Sequence, residues 1–258
     1  MRLDPRASAA GVRLLAREVL GSTNAEALRL ARRGERGPLW VTAERQTSGR
    51  GRRGRAWISP PGNLYASLLL TEPAASERWP QLSFVAALAT SDAIAEVAPD
   101  CAARLAIKWP NDVLHAGRKL AGILIEGGES GGAGAVAVGI GVNCASHPPV
   151  TEYPATDLAA AGAPVSPATL FGALSATMLA RLAQWNRGQG FSSIRADWLA
   201  RAIGIGETAR VRLADREING RFEAIDPAGG LVLRLPDGSA TTVMAGDVLM
   251  PAASAPRG

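Results

Sequence analysis

Residues 105–126 read LAIKWPNDVLHAGRKLAGILIE, and this stretch decides the predicted fold. Its apolar residues form three short runs, Leu105–Lys108, Val113–His115 and Lys119–Glu126, whose lengths and compositions are typical of strands. Only the turn at residues 116–118 separates the last two runs, so the chain reverses direction there. We therefore expect antiparallel strands that belong to a larger sheet.

Further strands and helices are predicted on both sides of this stretch. A helix begins at Thr23, which can cap it in a capping box with Glu26, and stops at Gly34. Residues 44–61 are polar, rich in Gly and Arg and without periodicity, which predicts a loop, and the Gly-rich residues 127–134 predict a flexible connector. The other predicted elements are strands at Leu39–Ala43, Asn63–Leu70 and Ala135–Val142 and helices at Gln81–Val97, Pro167–Asn186 and Phe191–Ala202.

From Glu207 onward the pattern changes to short alternating runs separated by turns. The predicted strands are Ala209–Leu213, Arg216–Ile225, Gly230–Leu235 and Ala240–Val243. Short strands at this spacing are typical of a small antiparallel barrel. The sequence thus predicts a large α+β domain, residues 1–204, followed by a small β domain, residues 205–258.

The positive charge of the chain consists almost entirely of arginine. There are 26 arginines and two lysines, Lys108 and Lys119, and the net charge is +5. A positive balance suits an anionic partner such as a nucleotide, a nucleic acid or an acidic protein. Ammonium and guanidinium groups are not interchangeable, so two lysines close together indicate positions that need an ammonium, unless the clustering is chance.

The composition also excludes several classes of protein. No apolar run reaches the roughly 18 residues of a membrane span, and the residues after Met1 lack the apolar core of a secretory signal. Cys101 and Cys144 form no disulfide framework, and no Cys/His cluster has the spacing of a zinc site. These features predict a cytoplasmic protein without a membrane segment.

The loop of residues 46–57 reads QTSGRGRRGRAW and is the sharpest motif in the chain. Three glycines alternate with four arginines, so backbone amides can approach a ligand closely while guanidinium groups surround it. The loop lacks the Lys-Ser/Thr ending of a nucleotide-binding P-loop. Taken alone, it suits a polyphosphate and a nucleic acid equally well.

Three further segments carry residues with possible chemistry. Lys108–Asp112 places a lysine, an asparagine and an aspartate around a proline turn; it can hold a carboxylate, a metal and an incoming amine, or be a solvated turn. Lys119 opens an apolar strand in which Gly122 leaves room for a ligand beside the backbone, although a lysine at a strand start is usually just exposed. Gly139–Asn143 contains a Gly-x-Gly, which is weak evidence by itself.

Together, in this order, the four segments resemble the catalytic region of biotin–protein ligases. The resemblance is strongest from Ser22 to about Cys144, and the tail from Glu207 resembles the small C-terminal domain of that family more loosely. It implies an α+β fold: a mixed-sheet catalytic domain similar to class II aminoacyl-tRNA synthetases and lipoate ligases, followed by a small SH3-like β-barrel. Many relatives carry an added N-terminal helix-turn-helix, whereas only residues 1–21 precede Ser22. The resemblance thus implies a monofunctional ligase without specific nucleic-acid binding.

The resemblance also implies a reaction and its reactants. Biotin and ATP, with Mg²⁺ accompanying the nucleotide and no resident metal, give biotinyl-adenylate and pyrophosphate. A lysine of a biotin carboxyl carrier protein then takes the biotinyl group. A homodimer is compatible with this implication.

Carried over motif by motif, the resemblance assigns roles to individual residues. Catalysis would depend on Lys119, Arg52 and Asp112, with Asp112 facing the incoming lysine or Mg²⁺. Biotin would contact Ser22, Thr23, Asn24, Gln46, Arg50, Gly51, Arg52, Lys119 and Gly122, the first three at the ureido ring. ATP or the adenylate would contact Arg50, Arg52, Arg55, Trp57, Asn111, Lys119 and Asn143, with Trp57 and Asn143 bounding the adenine.

Two alternatives remain open at this point. A lipoate or octanoyl ligase or transferase shares the fold, although the Arg/Gly loop and the Lys108–Asp112 segment argue against it. A nucleic-acid-binding module could use Arg50–Arg55, but no aromatic residues are interleaved with these arginines as they are in single-strand binders.

The loop of residues 47–55 generates a first prediction. Its glycines carry high backbone entropy, its four arginines repel one another, and nothing apolar lies within it to hold it to the core. We expect trypsin to cut the free protein first within Arg50–Arg55 and biotin with ATP to slow that cut, because the bound anions would order the loop. The readout is the time course of fragments on a gel. Equal cleavage rates with and without ligand would mean that the loop is pre-ordered or lies outside the site.

Overall fold

The computed structural model describes residues 1–130, 133–213 and 215–249. A mixed sheet of seven strands organises the first of its two parts. The strands are β1 (Arg13–Leu20), β2 (Leu39–Gln46), β3 (Leu64–Thr71), β4 (Leu105–Lys108), β5 (Asp112–His115), β6 (Arg118–Ser130) and β7 (Ala133–Val142). They lie in the order β1-β2-β3-β7-β6-β5-β4; β1 and β2 are parallel, and every other neighbouring pair is antiparallel.

Helices cover the two faces of this sheet unequally. They are α1 (Pro5–Ala9), α2 (Thr23–Arg32), α3 (Leu82–Val97), α4 (Pro99–Ala102), α5 (Pro167–Trp185) and α6 (Phe191–Leu199). The long helices α3 and α5 pack on one face, and α2 packs alone on the other, against β2, β3 and β7. Because α2 covers only part of its face, the rest of that face is free to border a cavity.

Strand β7 shows how the two faces differ. Residues 136, 138, 140 and 142 are Val, Val, Ile and Val, and they belong to the main core with α3 and α5. Residues 135 and 137 are alanines that pack against α2, and residues 139 and 141 are glycines. Successive side chains of a strand point to opposite faces, so one face of β7 is filled and the other is nearly bare.

A second, five-stranded antiparallel sheet follows. Its strands are β8 (Thr208–Arg212), β9 (Glu217–Ile225), β10 (Leu231–Arg234), β11 (Ala240–Val243) and β12 (Asp247–Leu249), in the order β11-β10-β9-β8-β12. The chain from Val243 to Asp247 spans at most roughly 14 Å, whereas the edges of a flat five-stranded sheet lie about 19 Å apart. The sheet must therefore curl, as the predicted small barrel requires, and β12 is a strand that the sequence did not predict.

The two sheets share one apolar core. Phe222 and Leu233 of the small sheet belong to the same buried cluster as α3 and β7. The indole Nε1 of Trp109 donates a hydrogen bond to the carbonyl of Gly229 at 3.1 Å. Gly229 has a φ of +97°, and a Cβ there would lie 3.1 Å from Phe84, so glycine is required for this close approach.

The predicted flexible connector at residues 127–134 is wrong where the structure describes it. β6 continues to Ser130 and β7 begins at Ala133, while residues 131–132 lie outside the described part. Gly127 and Gly128 are paired with Val136 and Ala135 in the ladder. A Cβ at Gly127 would lie 2.5 Å from Cζ3 of Trp79, so this glycine admits an indole ring and does not mark a flexible segment.

The N-terminal third differs from prediction in two places. Ser22, not Thr23, caps α2, because the Ser22 hydroxyl accepts from the backbone N–H of Ala25. Strand β1 was not predicted; it is an edge strand with several exposed side chains, so its sequence lacks the apolar alternation of a half-buried strand.

Within the described residues, no helix has the length and apolar character needed to cross a membrane.

The filled face of the sheet generates a stability prediction. Leu68 on β3 is 2 % exposed and packs in the main core. We expect Leu68→Ala to lower the free energy of unfolding by about 2–5 kcal/mol, because the change removes buried apolar atoms and leaves a cavity. Val19→Ala on the edge strand β1, where the side chain is 53 % exposed, should change it by less than about 0.5 kcal/mol. Urea unfolding curves measure both, and equal effects of the two substitutions would contradict the assigned core.

Candidate active site

A cavity of about 360 Å³ opens on the bare face of the sheet. This volume lies within the range of roughly 300–1,000 Å³ typical of small-molecule sites. All the residues that the sequence assigned to a site line this one cavity: Ser22, Thr23, Asn24, Gln46, Arg50, Gly51, Arg52, Arg55, Trp57, Asn111, Asp112, Lys119, Gly122 and Asn143. Segments that are distant in the sequence therefore meet at one place.

Two glycines that face each other form the floor of the cavity. Gly122 on β6 pairs in register with Gly141 on β7. The indole of Trp57 lies over them: a Cβ at Gly141 would be 2.6 Å from Nε1 of Trp57, and one at Gly122 would be 3.1 Å from Cζ3. Any larger residue at either position would push the ring away. Trp57 Nε1 is buried without a hydrogen-bond partner among the described residues, so its N–H is an unsatisfied donor that would reach a ligand only if the ring moved.

One wall of the cavity is made of polar side chains from the start of α2 and the end of β2. The side-chain oxygen of Gln46 accepts from the Thr23 backbone N–H at 2.8 Å and from the Thr23 hydroxyl at 3.1 Å. Asn24 packs over Gly139, where a Cβ would lie 2.4 Å from its Oδ1. The small residues of β7 therefore let the polar helix start approach the sheet closely.

Both lysines of the chain border this cavity. Lys119 Nζ lies 2.6 Å from Oδ1 of Asp112, an ion pair without the angle of a hydrogen bond. Lys108 Nζ lies 3.6 Å from the centroid of the Tyr153 ring. Burial lowers the pKa of Lys108, an effect that the nearby Asp112 carboxylate opposes. Because both lysines border the same cavity, their closeness in the sequence is better explained by function than by chance.

The Arg/Gly loop is held by carboxylates. Asp247 of β12 contacts three of its arginines: Arg52 at 3.7 Å, Arg53 at 3.2 Å, and Arg55 in a close ion pair. Arg50 lies 3.1 Å from Oε1 of Glu126. Burial lowers the pKa of the Arg52 guanidinium, and the Asp247 and Asp112 carboxylates oppose this shift. The expectation that the four arginines repel one another until a ligand supplies anions is therefore wrong for this structure, because the protein's own carboxylates compensate them.

Two predicted contacts to the nucleotide already have partners within the protein. Asn111 Nδ2 donates to the carbonyl of Ile123 at 2.6 Å, and its Oδ1 accepts from Arg52 at 3.3 Å. Asn143 Nδ2 donates to the carbonyl of Thr156 at 2.9 Å. Both amides thus tie neighbouring segments together at the cavity.

Several lining residues were not predicted. Asp247 comes from the small sheet, and Tyr65 and Tyr153 come from β3 and from the segment after β7. No motif marks Asp247, because a single aspartate at the start of a strand is ordinary in sequence. Only the packing of the small sheet against the loop shows its role.

Comparisons with known proteins give matches over both parts of the chain. Residues 18–143 match the model described as the Biotin/lipoate A/B protein ligase family, and residues 204–250 match the Biotin protein ligase C terminal domain. The chain is 47% identical over 224 residues to the biotin–[acetyl-CoA-carboxylase] ligase of Paracoccus denitrificans, covering 84% of this chain and 92% of that protein. It is 34% identical to the corresponding ligase of Mycobacterium tuberculosis, covering 89% and 85%. A structure of the biotin protein ligase from Aquifex aeolicus in complex with biotin and ATP superposes with a TM-score of 0.77 at 25% identity, covering 93% of this chain and 98% of that one.

The contacts of Asp247 generate a prediction about the loop. Asp247→Asn removes the charge that Arg52, Arg53 and Arg55 share, so the loop should open more often. We expect trypsin to cut the ligand-free variant within residues 50–55 at least about threefold faster than the parent protein, since cleavage follows the population of the open form. Asp237→Asn, an exposed turn position of the same sheet that bonds only to Ser239 among the described residues, is the matched control. Unchanged cleavage of the Asp247 variant would show that the ion pairs do not hold the loop.

Proposed function

The chain belongs to the biotin protein ligase family, and we propose that it attaches biotin to a lysine of a biotin carboxyl carrier protein in an ATP-dependent reaction. The observation that carries this proposal is the convergence of both lysines, the arginine loop and the bare Gly122–Gly141 floor on one cavity. The choice of biotin and a carrier protein as substrates rests on the sequence identity with proteins named biotin–[acetyl-CoA-carboxylase] ligase.

The reaction has two steps. In the first, a carboxylate oxygen of biotin attacks the α-phosphorus of ATP; biotinyl-5'-AMP forms and pyrophosphate leaves. In the second, the amine nitrogen of the acceptor lysine attacks the biotinyl carbonyl carbon, AMP leaves and the amine gives up a proton. A C–N bond forms, so the enzyme is a ligase.

The first step requires cations that are in place before the substrates meet. Biotin carboxylate and the α-phosphate are both anions and repel each other. Arg50 and Arg52 suit bidentate contacts with their oxygens, and Lys119 supplies a compact charge that can follow an oxygen through the transition state. No nucleophile from the protein is needed, because orientation of two bound substrates can itself lower the barrier by roughly 7–11 kcal/mol at best.

The carboxylates now paired with these cations would be exchanged for substrate anions. Arg50 leaves Glu126, and Arg52 leaves Asp247, as biotin carboxylate and phosphate oxygens arrive. Trp57 is placed over the floor where the adenine would lie, and it would move to stack on the base. Asp112, 2.6 Å from Lys119, would then be released to face the acceptor lysine.

Mg²⁺ would arrive with ATP. It is usually held by one or two carboxylates together with substrate phosphates and water. The described residues contain no cluster of three candidate metal ligands, but Asp112 and Asp247 both border the cavity. This arrangement fits a cation carried by the nucleotide phosphates. Asp112 would hold this cation in the first step and would face the acceptor lysine in the second.

The setting of the enzyme follows from its reactants. We place it in the cytoplasm, where ATP and an unmodified carrier protein are available. We further propose that the chain is divided into a catalytic domain, residues 1–204, and a small domain, residues 205–258. The proposal also includes a homodimer.

Pyrophosphate release from ATP by the purified protein tests the function. We expect release that depends on biotin and transfer of biotin to a carrier protein. Lipoate in place of biotin is the decisive comparison, because the matching family model covers both biotin and lipoate ligases. Release with lipoate but not with biotin would overturn the proposal in favour of a lipoate ligase.

Lys119 generates a sharper prediction. Lys119→Arg keeps the charge but places a wide planar group where Nζ now lies 2.6 Å from Asp112 and within 3.4 Å of a Cβ built on Gly122. We expect biotin-dependent pyrophosphate release to fall at least about tenfold, equivalent to ~1.4 kcal/mol in the barrier.

The control is the reverse exchange at an exposed position. Arg36→Lys alters an ion pair with Glu72 on the surface and should leave the rate within about twofold. Near-parental release by a folded Lys119→Arg protein would remove Lys119 from the catalytic assignment.

A further inference from the structure

A buried hydroxyl lies one layer behind the polar wall of the cavity. Ser67 on β3 is fully buried. Its Oγ lies 2.7 Å from Oγ1 of Thr23 and 2.6 Å from Oδ1 of Asn24. A hydroxyl has a single hydrogen, so Ser67 can donate to only one of these two oxygens. It must accept a hydrogen bond from the other side chain.

Glu126 determines which way the Asn24 amide points. Asn24 Nδ2 donates to Oε2 of Glu126 at 2.9 Å and to the carbonyl of Leu124 at 3.2 Å. An ionised carboxylate and a carbonyl can only accept, so both amide hydrogens are used here. The carboxylate of Glu126 is paired with the Arg50 guanidinium at 3.1 Å. Oδ1 of Asn24 must therefore face Ser67, and Ser67 must donate its hydrogen to it.

With these hydrogen-bond directions, the Thr23 hydroxyl can accept a hydrogen bond from a ligand but cannot donate one. The Thr23 hydroxyl hydrogen can go to Ser67 Oγ at 2.7 Å or to Gln46 Oε1 at 3.1 Å. The Gln46 amide cannot reverse, because its oxygen accepts from the Thr23 backbone N–H and its Nε2 donates to Ser59. In either case the hydrogen of Thr23 stays within the protein. Thr23 and Asn24 both line the cavity, and neither side chain has a hydrogen left to donate to a ligand. The wall that they form can therefore offer a ligand only lone pairs.

We propose that Ser67 and Glu126 are positioning residues that make the Thr23–Asn24 wall accept hydrogen bonds only, and that this polarity selects a ligand with ring N–H donors. The proposal rests on the proposed function, in which that ligand is the cyclic urea of biotin. A ring that carries an acceptor in place of an N–H would set lone pairs against lone pairs in a buried site. Such a mismatch costs more than a missing contact, because neither group can turn to water.

The test compares two ligands of nearly equal shape. The cyclic carbamate analogues of biotin replace one ureido N–H or the other by a ring oxygen, which turns a donor into an acceptor. Calorimetry gives the dissociation constant of biotin and of each analogue for the intact protein without ATP. We expect biotin to bind at least about tenfold more tightly than one or both analogues. The readout is the ratio of the dissociation constant of each analogue to that of biotin. Both ligands carry the same carboxylate, so its contacts with Arg50 contribute equally and cancel in the ratio.

Two substitutions remove the imposed polarity by different routes. Ser67→Ala deletes the nearer of the two acceptors that keep the Thr23 hydroxyl hydrogen within the protein, so the Thr23 hydroxyl can turn toward a ligand. Glu126→Gln replaces an acceptor-only group by an amide that can donate, so the Asn24 amide can turn over. Each should reduce the preference for biotin over the analogue at least about fivefold. In Ser67→Ala the KM for ATP should stay within about twofold, because the lost contact is on the biotin side. Ser175→Ala is the matched control. Ser175 on α5 is equally buried, but its hydroxyl donates to the carbonyl of Gly172 and accepts from the backbone N–H of Asp4, away from the cavity.

The outcomes separate the two ideas. A preference unchanged in folded Ser67→Ala and Glu126→Gln proteins, or reduced equally by Ser175→Ala, would overturn the proposal while leaving the ligase function intact. No binding of biotin by the parent protein would instead contradict the proposed function. Loss of folding in Ser67→Ala, seen by circular dichroism, leaves Glu126→Gln to decide the question.

Discussion

The structure depends on one steric constraint: the cavity face of β6 and β7 must be almost without side chains. Gly122 and Gly141 lie opposite each other in the ladder, and Gly139 lies beneath Asn24. The other face of the same strands carries Val and Ile side chains that pack on α3 and the rest of the main core. The sheet can thus be stabilised entirely from one side while the other side receives a ligand. Asn24 at the start of α2, the indole of Trp57 and Lys119 all approach this bare surface closely.

A second constraint is electrostatic repulsion between the cationic side chains of the site. A cavity intended for phosphate and carboxylate gathers cations, and these repel one another when no anion is bound. The chain meets this problem with its own carboxylates, since Asp112 pairs with Lys119, Glu126 with Arg50 and Asp247 with the arginine loop. In the proposed reaction, substrate binding would then be an exchange of anions and not the filling of an uncompensated positive site. Because Asp247 belongs to the small sheet, this exchange would also link the small sheet to the reaction.

Much of the fold could be predicted locally. The strands around residues 105–126, the helices α3, α5 and α6 and the short strands of the small sheet follow from apolar period, turns and caps, which act within a few residues. The failures have tertiary causes. Gly127 and Gly134 leave room for the ring of Trp79, and a contact with a residue some fifty positions away leaves no local pattern. Edge strand β1 was not predicted because many of its side chains face solvent, so its sequence does not alternate between apolar and polar residues.

The residue types and their order in the chain were enough to predict the chemistry of the site. The sequence held the only two lysines, the arginine loop and the glycines in four separated segments, and their order was specific enough to indicate a ligase family and fourteen lining residues. Which charged groups form ion pairs became visible only in the folded protein. Folding brought Asp247 from the last strand to the loop and set Glu126, Asn24, Ser67 and Thr23 in one directed chain of hydrogen bonds. The reason is physical: the type of a residue fixes what it can donate, accept or carry, whereas its partner depends on which distant segments the packed sheet brings within about 3 Å.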